Sequence, residues 1–216
     1  MKQLPLPFAE TPGYSAADFI AVASNEAARA WLTRPAAWPH GRLILWGEAG
    51  CGKTHLLHVW AAEQGAVAMA GTQLRALPEI GGPIAVDDAD TAPDEEVLLH
   101  LLNSAAEARV AVLMTARLPP ARQVIGLADL ASRLRAAQAV EIKPPEDELL
   151  AGLLAHLAAD RQLQLSIPVQ NYLLTRLPRT PAALRESVAR LDRAALEQGA
   201  RITKALAAGL LADMME

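Results

Sequence analysis

Gly47-Glu48-Ala49-Gly50-Cys51-Gly52-Lys53-Thr54 spells G-x-x-x-x-G-K-[ST], a loop chemically suited to gripping phosphate. Its glycines let the backbone turn tightly enough for successive N–H groups to converge on an anion. Lys53 supplies a point charge for the β and γ phosphates, and the Thr54 hydroxyl can ligate Mg²⁺. A helix opening at the end of the loop adds partial positive charge from its N-terminus. Random placement would give this pattern on the order of once per thousand chains of this composition. The flanks agree. Arg42-Leu-Ile-Leu-Trp46 reads as a buried strand, and residues 53–64 read as a helix. The unit implies a bound nucleotide, ADP or ATP, with Mg²⁺.

Beyond this unit, residues 66–70, 83–87, 110–115 and 139–142 are short apolar strand candidates. Between them, residues 94–108 are helical, with Val97, Leu98, Leu101 and Leu102 on one face and three acids in the first turn. Ser24 to Leu32 has helical spacing, residues 35–41 form a loop, and Pro119-Pro120 breaks the chain. Strands alternating with helices imply an α/β fold with a mostly parallel sheet covered on both faces. From Pro144 the texture changes to helix starts marked by Pro and acids, or by a polar cap followed by Pro, as in Ser166-Ile-Pro168 and Thr180-Pro181. Leu184, Val188, Leu191 and Ala195 line one helical face. The expected organisation is a tail over 1–12, a nucleotide-binding base over 13–145 and a helical lid over 146–216.

Hydrophobic residues make up 52% of the 216, enough for a large core, yet no apolar run approaches the length of a membrane span. The opening Met-Lys-Gln-Leu-Pro-Leu-Pro-Phe is too short and Pro-broken for a signal peptide, so a cytoplasmic location is expected. The single cysteine, Cys51, excludes a disulfide framework and fills a small position in the loop. A net charge of −4 and 4% aromatics argue against a dedicated DNA-binding or base-stacking surface. His55 and His58 lie three apart on a helix, but no third ligand is suggested nearby. A core or interface role is the better reading. Trp31, Trp38, Trp46 and Trp60 are read as packing residues.

Ile84-Ala-Val-Asp-Asp88 is a hydrophobic strand ending in two carboxylates. Beside a phosphate loop this delivers Asp87 to the Mg²⁺ shell and leaves Asp88 to orient or deprotonate a water. Asp88 is shorter than the Glu of fast ATPases, so intrinsic hydrolysis is expected to be weak or absent.

The phosphate loop continuing into His55-Leu-Leu-His58, the Asp87-Asp88 pair and Thr115-Ala-Arg-Leu-Pro-Pro120 resemble the AAA+ ATPase family, and within it the replication initiator DnaA. Asp18-Phe-Ile-Ala-Val-Ala-Ser-Asn25 is similar to the adenine-side segment of that family, which places Ile20 and His55 among the nucleotide contacts. Leu127-Ala-Asp-Leu-Ala-Ser-Arg-Leu134 resembles the arginine-finger box, with Arg133 as the finger acting in trans. Val140-Glu-Ile-Lys-Pro-Pro145 resembles the strand leading into the lid. The resemblance covers about 14–210 and implies a five-stranded parallel AAA+ sheet with a C-terminal helical lid. The initiator's helix-turn-helix domain has no counterpart before Glu216, so sequence-specific DNA binding is not expected.

Two departures stand out. Ala182 occupies the place of the lid's nucleotide-sensing Arg, leaving Arg185, one turn on, or Arg179 as substitutes. Arg117 stands where the initiator often has Asp.

The tail narrows the resemblance. Gln3-Leu-Pro-Leu-Pro-Phe8 resembles the peptide that docks on the DNA polymerase sliding clamp, with Gln3 hydrogen bonding and Leu4, Leu6, Pro7 and Phe8 against an apolar pocket. A Pro-stiffened segment loses little entropy on binding. The rival is a floppy apolar terminus.

A DnaA-like module with a clamp peptide is the arrangement of the Hda-type DnaA paralogues. That resemblance implies a clamp-bound, nucleoid-associated bacterial regulator, holding ADP, that stimulates hydrolysis of DnaA-bound ATP. An adaptor that only docks DnaA, and a helicase-loader-type ATPase, are the alternatives. Homo-oligomer formation stays open.

Overall fold

The computed structural model describes residues 19–198 and 201–214, so the 3–8 segment and its clamp-docking reading lie outside the described residues. The chain divides between Pro144 and Pro145 into two compact units.

In the first unit, α1 (Ala23–Leu32) precedes β1 (Arg42–Trp46), α2 (Lys53–Gln64) and β2 (Val67–Ala70). β3 (Ile84–Asp87), α3 (Glu95–Glu107), β4 (Val112–Ala116), α4 (Ala128–Ala136) and β5 (Gln138–Glu141) follow. The five strands form one sheet in the order β2-β3-β4-β1-β5, and every pairing is parallel. The strand ends differ from the sequence reading by one or two residues. For example, Ala66 and Ile142 fall outside strands, and Ala116 extends β4.

Side-chain alternation along the strands explains the two covered faces. Ile44, Ile84, Val86, Val112 and Met114 share a cluster with Leu98, Leu101 and Leu102 of α3 and Leu130 and Leu134 of α4. Leu43, Leu45, Ala85 and Leu113 point the other way, onto Leu32 of α1 and Leu56, Leu57 and Trp60 of α2. Trp38 packs there as well, its ring 5.2 Å from that of Trp60. Trp31 packs at the edge of this cluster, while Trp46 is half-buried.

Local chemistry fixes the helix ends. Asp94 Oδ1 accepts from the N–H groups of Glu96 and Val97 and so caps α3. Gly65 takes the left-handed conformation that ends α2, at φ 62°. α4 uses a cap from elsewhere in the chain: both oxygens of Glu95 accept, from Gly126 N–H at 2.9 Å and Leu127 N–H at 2.7 Å.

The second unit consists of α5 (Asp147–Asp160), α6 (Ile167–Arg176), α7 (Pro181–Gln198) and α8 (Lys204–Leu210). Leu150, Leu154 and Leu157 of α5, Leu173 of α6, and Leu184, Val188 and Leu191 of α7 are buried. Ala194 is buried on this helix, whereas Ala195, expected on the apolar face, is half-buried. Thr180 Oγ1 accepts from Ala183 N–H as a cap should, at 3.2 Å, whereas the Ser166 side chain makes no cap bond.

Candidate functional site

The phosphate loop joins the C-terminal end of β1 to the start of α2. Gly50 and Gly52 have φ of 81° and 101°, where side chains other than glycine are strained. Gly47 is required by space: a Cβ there would collide with the Ile142 carbonyl. Glu48, Ala49 and Gly50 are exposed and Cys51 is buried. Burial pushes the Cys51 thiol up, against the opposing charge of Lys53, so its reactivity is suppressed.

Lys53 is only 6% exposed. Its Nζ donates to the carbonyls of Gly47 and Glu48 at 2.8 and 2.9 Å and lies 3.8 Å from Cys51 Sγ. The buried ammonium is thus positioned by carbonyls of its own loop.

Next to it, three chain segments converge on one oxygen. Thr54 Oγ1 donates to Asp87 Oδ1 at 3.2 Å, and Thr115 Oγ1 donates to the same atom at 2.6 Å. Thr115 in turn accepts from Asp88 N–H at 2.7 Å. A hydroxyl and a carboxylate side by side at a phosphate loop fit Mg²⁺, which keeps several waters and needs few protein ligands. Sequence reasoning quotes Thr115 within a family motif but assigns it no role. A further signal is its polarity in an otherwise apolar buried strand.

Asp88 adopts a left-handed conformation, with φ 48°. Its carbonyl accepts from Thr91 Oγ1 at 2.7 Å and presses against Gly71, where any Cβ would collide. Burial, then the neighbouring charges of Asp87 and Asp90, raise the Asp88 carboxyl above its ordinary value, against Lys53 and Arg117. Arg117 donates its backbone N–H to Asp90 Oδ2 at 2.9 Å.

Ile20 is half-buried, and its carbonyl accepts from Asn25 Nδ2 at 2.9 Å. Asn25 Oδ1 accepts from Val22 N–H at 3.2 Å. Buried Asn25 thus fixes the segment before α1. The Phe19 ring stands edge-on to His55, centroids 5.3 Å apart. His55 itself is buried on α2. Among the described residues no three His, Cys, Asp or Glu side chains converge on a metal position.

Arg133 lies elsewhere. It sits in the last turn of α4, and its charge is felt by Arg42, the first residue of β1. The phosphate loop leaves the other end of that strand, about 13 Å away. Arg133 Nη2 pairs with Asp129 Oδ2 at 3.3 Å, while its buried Nε has no hydrogen-bond partner.

In the second unit, Arg185 is exposed on α7. Arg179 is engaged with Asp147 Oδ1 at 2.6 Å, an exposed pair worth little to stability. Ala182 is likewise exposed on α7.

Residues 147–207 match the family model described as the lid domain of Hda. The fold is similar to domain III of the replication initiation protein DnaA from Thermotoga maritima, with a TM-score of 0.81 and 17% identity over 99% of this chain and 100% of that one. AMPPCP-bound DnaA from Aquifex aeolicus gives 0.67 at 14% identity, over 82% of this chain and 64% of that one. The Thermotoga maritima RuvB Holliday junction branch migration motor gives 0.70 at 18% identity, over 93% and 72% respectively. This chain thus spans just under two thirds of the Aquifex protein's length.

Proposed function

We infer that this Hda-type, DnaA-like AAA+ protein is a DnaA-related regulator that holds a nucleotide in cis and acts on DnaA in trans. Residues 47–54 hold the phosphates, Thr54 and Asp87 hold Mg²⁺, the Ile20 segment flanks the base, and Arg185 serves as the lid's nucleotide sensor. Mg²⁺ held by Thr54 and Asp87 would supply positive charge that neutralises phosphate oxygens. ADP is the expected resident, since the short Asp88 makes a poor water-activating group.

One observation carries the trans assignment: Arg133 stands at the end of the sheet remote from its own phosphate loop, with Nε unpaired. A guanidinium in that place has no path to its own nucleotide but is available to a neighbour's. Arg133 would bring positive charge to the γ-phosphate of ATP on DnaA, where such a residue raises hydrolysis by about a thousandfold or more. The segment Gln3, Leu4, Leu6, Pro7 and Phe8 would tether the protein to the DNA-loaded sliding clamp. Replication initiation is thereby switched off.

The adaptor reading, in which the chain only docks DnaA, draws on the ion pair that already engages Arg133 with Asp129. Hydrolysis of DnaA-bound ATP in the presence of loaded clamp tests the scheme. The intact chain should accelerate it, and a chain lacking residues 1–8 should need a far higher concentration. Equal activity of the two at low concentration would remove the tether, and no acceleration by either would remove the regulator.

A further inference from the structure

On the α3 and α4 side of the sheet, away from the face that receives α2, lies a pocket of about 200 Å³. Ile44, Leu98, Met114, Leu130 and Leu134 form its floor, and each belongs to the buried cluster on that side. The mouth is apolar as well. Leu118, Val124 and Ile125, on the strap between β4 and α4, border it, and Val124 is fully exposed there. A contiguous apolar surface around one opening marks a binding site, whereas a single exposed apolar residue carries no such meaning.

The polar groups that this pocket can offer are of one kind. Thr115 lines it, but its hydroxyl is already engaged with Asp87 Oδ1 and Asp88 N–H. Gln123 donates Nε2 to the Leu118 carbonyl at 2.8 Å, which leaves its amide oxygen as the group to offer. Asp90 Oδ2 accepts from Arg117 N–H, and the two oxygens of Glu95 accept from Gly126 and Leu127 N–H. These bonds fasten both ends of the strap, yet a carboxylate oxygen that takes one N–H keeps a further acceptor site. Among the described residues that line the pocket there is no lysine, arginine or histidine, so the charges of Asp90 and Glu95 are unopposed within it. Arg117 and Arg122 belong to the strap but do not line the pocket.

We propose that this pocket binds a small organic amine: one ring, or an aliphatic chain of similar bulk, carrying an ammonium head. The volume sets the size. It lies below the roughly 300 Å³ at which pockets for drug-sized ligands begin, and above the about 150 Å³ cavity that holds benzene. A nucleotide is thereby excluded. The apolar body takes the floor, and the head donates to Asp90, Glu95 and the Gln123 amide oxygen. The same acceptor set repels a carboxylate. Such a site goes beyond the regulatory reading and does not depend on it.

Benzylamine titrated into the ¹³C-methyl-labelled full chain tests it, with benzyl alcohol and benzoate as ring-matched neutral and anionic arms. Methyl signals of Ile44, Met114 and Ile125 report the pocket, and those of Leu43 and Leu57 report the opposite face of the sheet. Saturable shifts confined to the first set are expected with benzylamine. Benzyl alcohol should bind about fivefold more weakly, the scale of a partly exposed ion pair, and benzoate should leave the pocket silent. Asp90→Asn keeps an acceptor for Arg117 N–H but removes the charge. It should weaken benzylamine by about fivefold and leave benzyl alcohol unchanged. Ala92→Leu adds bulk to the lining and should abolish binding of both. Urea unfolding establishes that each variant is folded; should Ala92→Leu not fold, Asp90→Asn and the three ligands decide alone. Benzoate or benzyl alcohol binding as tightly as benzylamine would overturn the proposal. So would equal shifts on both faces of the sheet, or an affinity for benzylamine that Asp90→Asn leaves unchanged.

Discussion

At the C-terminal ends of the strands, Lys53 is buried among two carbonyls of its own loop; at the N-terminal ends, Arg42 is equally buried but lies beside a second cation. The first arrangement keeps a loop preformed around a charge it can hold alone. The second gathers positive charge that Asp129 neutralises only in part. The two ends of one sheet thus hold buried cations in different ways. In the proposed scheme the first retains a nucleotide and the second addresses a partner.

The contrast is most exposed to disproof at Lys53. Lys53→Ala removes the loop's buried ammonium, and equilibrium dialysis with labelled ADP should show affinity falling by about a hundredfold, the scale of a lost charge-assisted contact. A fall of less than about threefold would mean that the loop amides suffice.

Thr115→Val comes next. It keeps the shape but removes the hydroxyl that links Asp87 Oδ1 to Asp88 N–H. Leaving a buried group unpaired should cost about 2 kcal/mol in urea unfolding. Glu95→Gln should cost about 1 kcal/mol, because the amide keeps one acceptor for the Gly126 and Leu127 N–H groups but loses the charge. Hydrogen exchange should then quicken at the start of α4, the helix that carries Arg133.

The smallest effect is a pH dependence. Asp88 has a raised carboxyl pKa, so the folded protein holds that proton more tightly than the unfolded chain. Stability contributed by Asp88 is therefore lost as pH rises from the ordinary carboxylate range through the raised value. Asp88→Asn removes this penalty and keeps a residue type tolerant of the left-handed backbone. Its melting temperature should exceed the parent's at pH 7, and the gain should vanish below about pH 4. A gain constant with pH would assign the effect to backbone preference instead.

Most of the nucleotide end is legible in the sequence because it is local. The phosphate loop, the flanking strand and helix, and Asp87 at the end of an apolar strand lie in short contiguous stretches. The apolar run through Leu43, Ile44 and Leu45 also announces a sheet covered on two faces. What escapes depends on contacts distant in sequence. Thr115 acts through residues 27 and 28 positions away. Glu95 caps a helix whose first residue is Ala128, and α4 itself reads in the sequence as a motif more than as an element. Arg42 looks like the polar edge of a strand, because nothing in its neighbourhood forecasts a carbonyl 60 residues on as its partner. Strand order likewise follows from family resemblance and not from composition.

Whether Arg133 works on another protein's nucleotide is the decisive question. DnaA loaded with γ-labelled ATP, mixed with clamp and either the parent chain or Arg133→Ala, gives the direct measurement as released phosphate in a single turnover. Acceleration by the parent and none by the variant is expected, while the variant still retains its own ADP. Undiminished acceleration by Arg133→Ala would contradict the trans assignment.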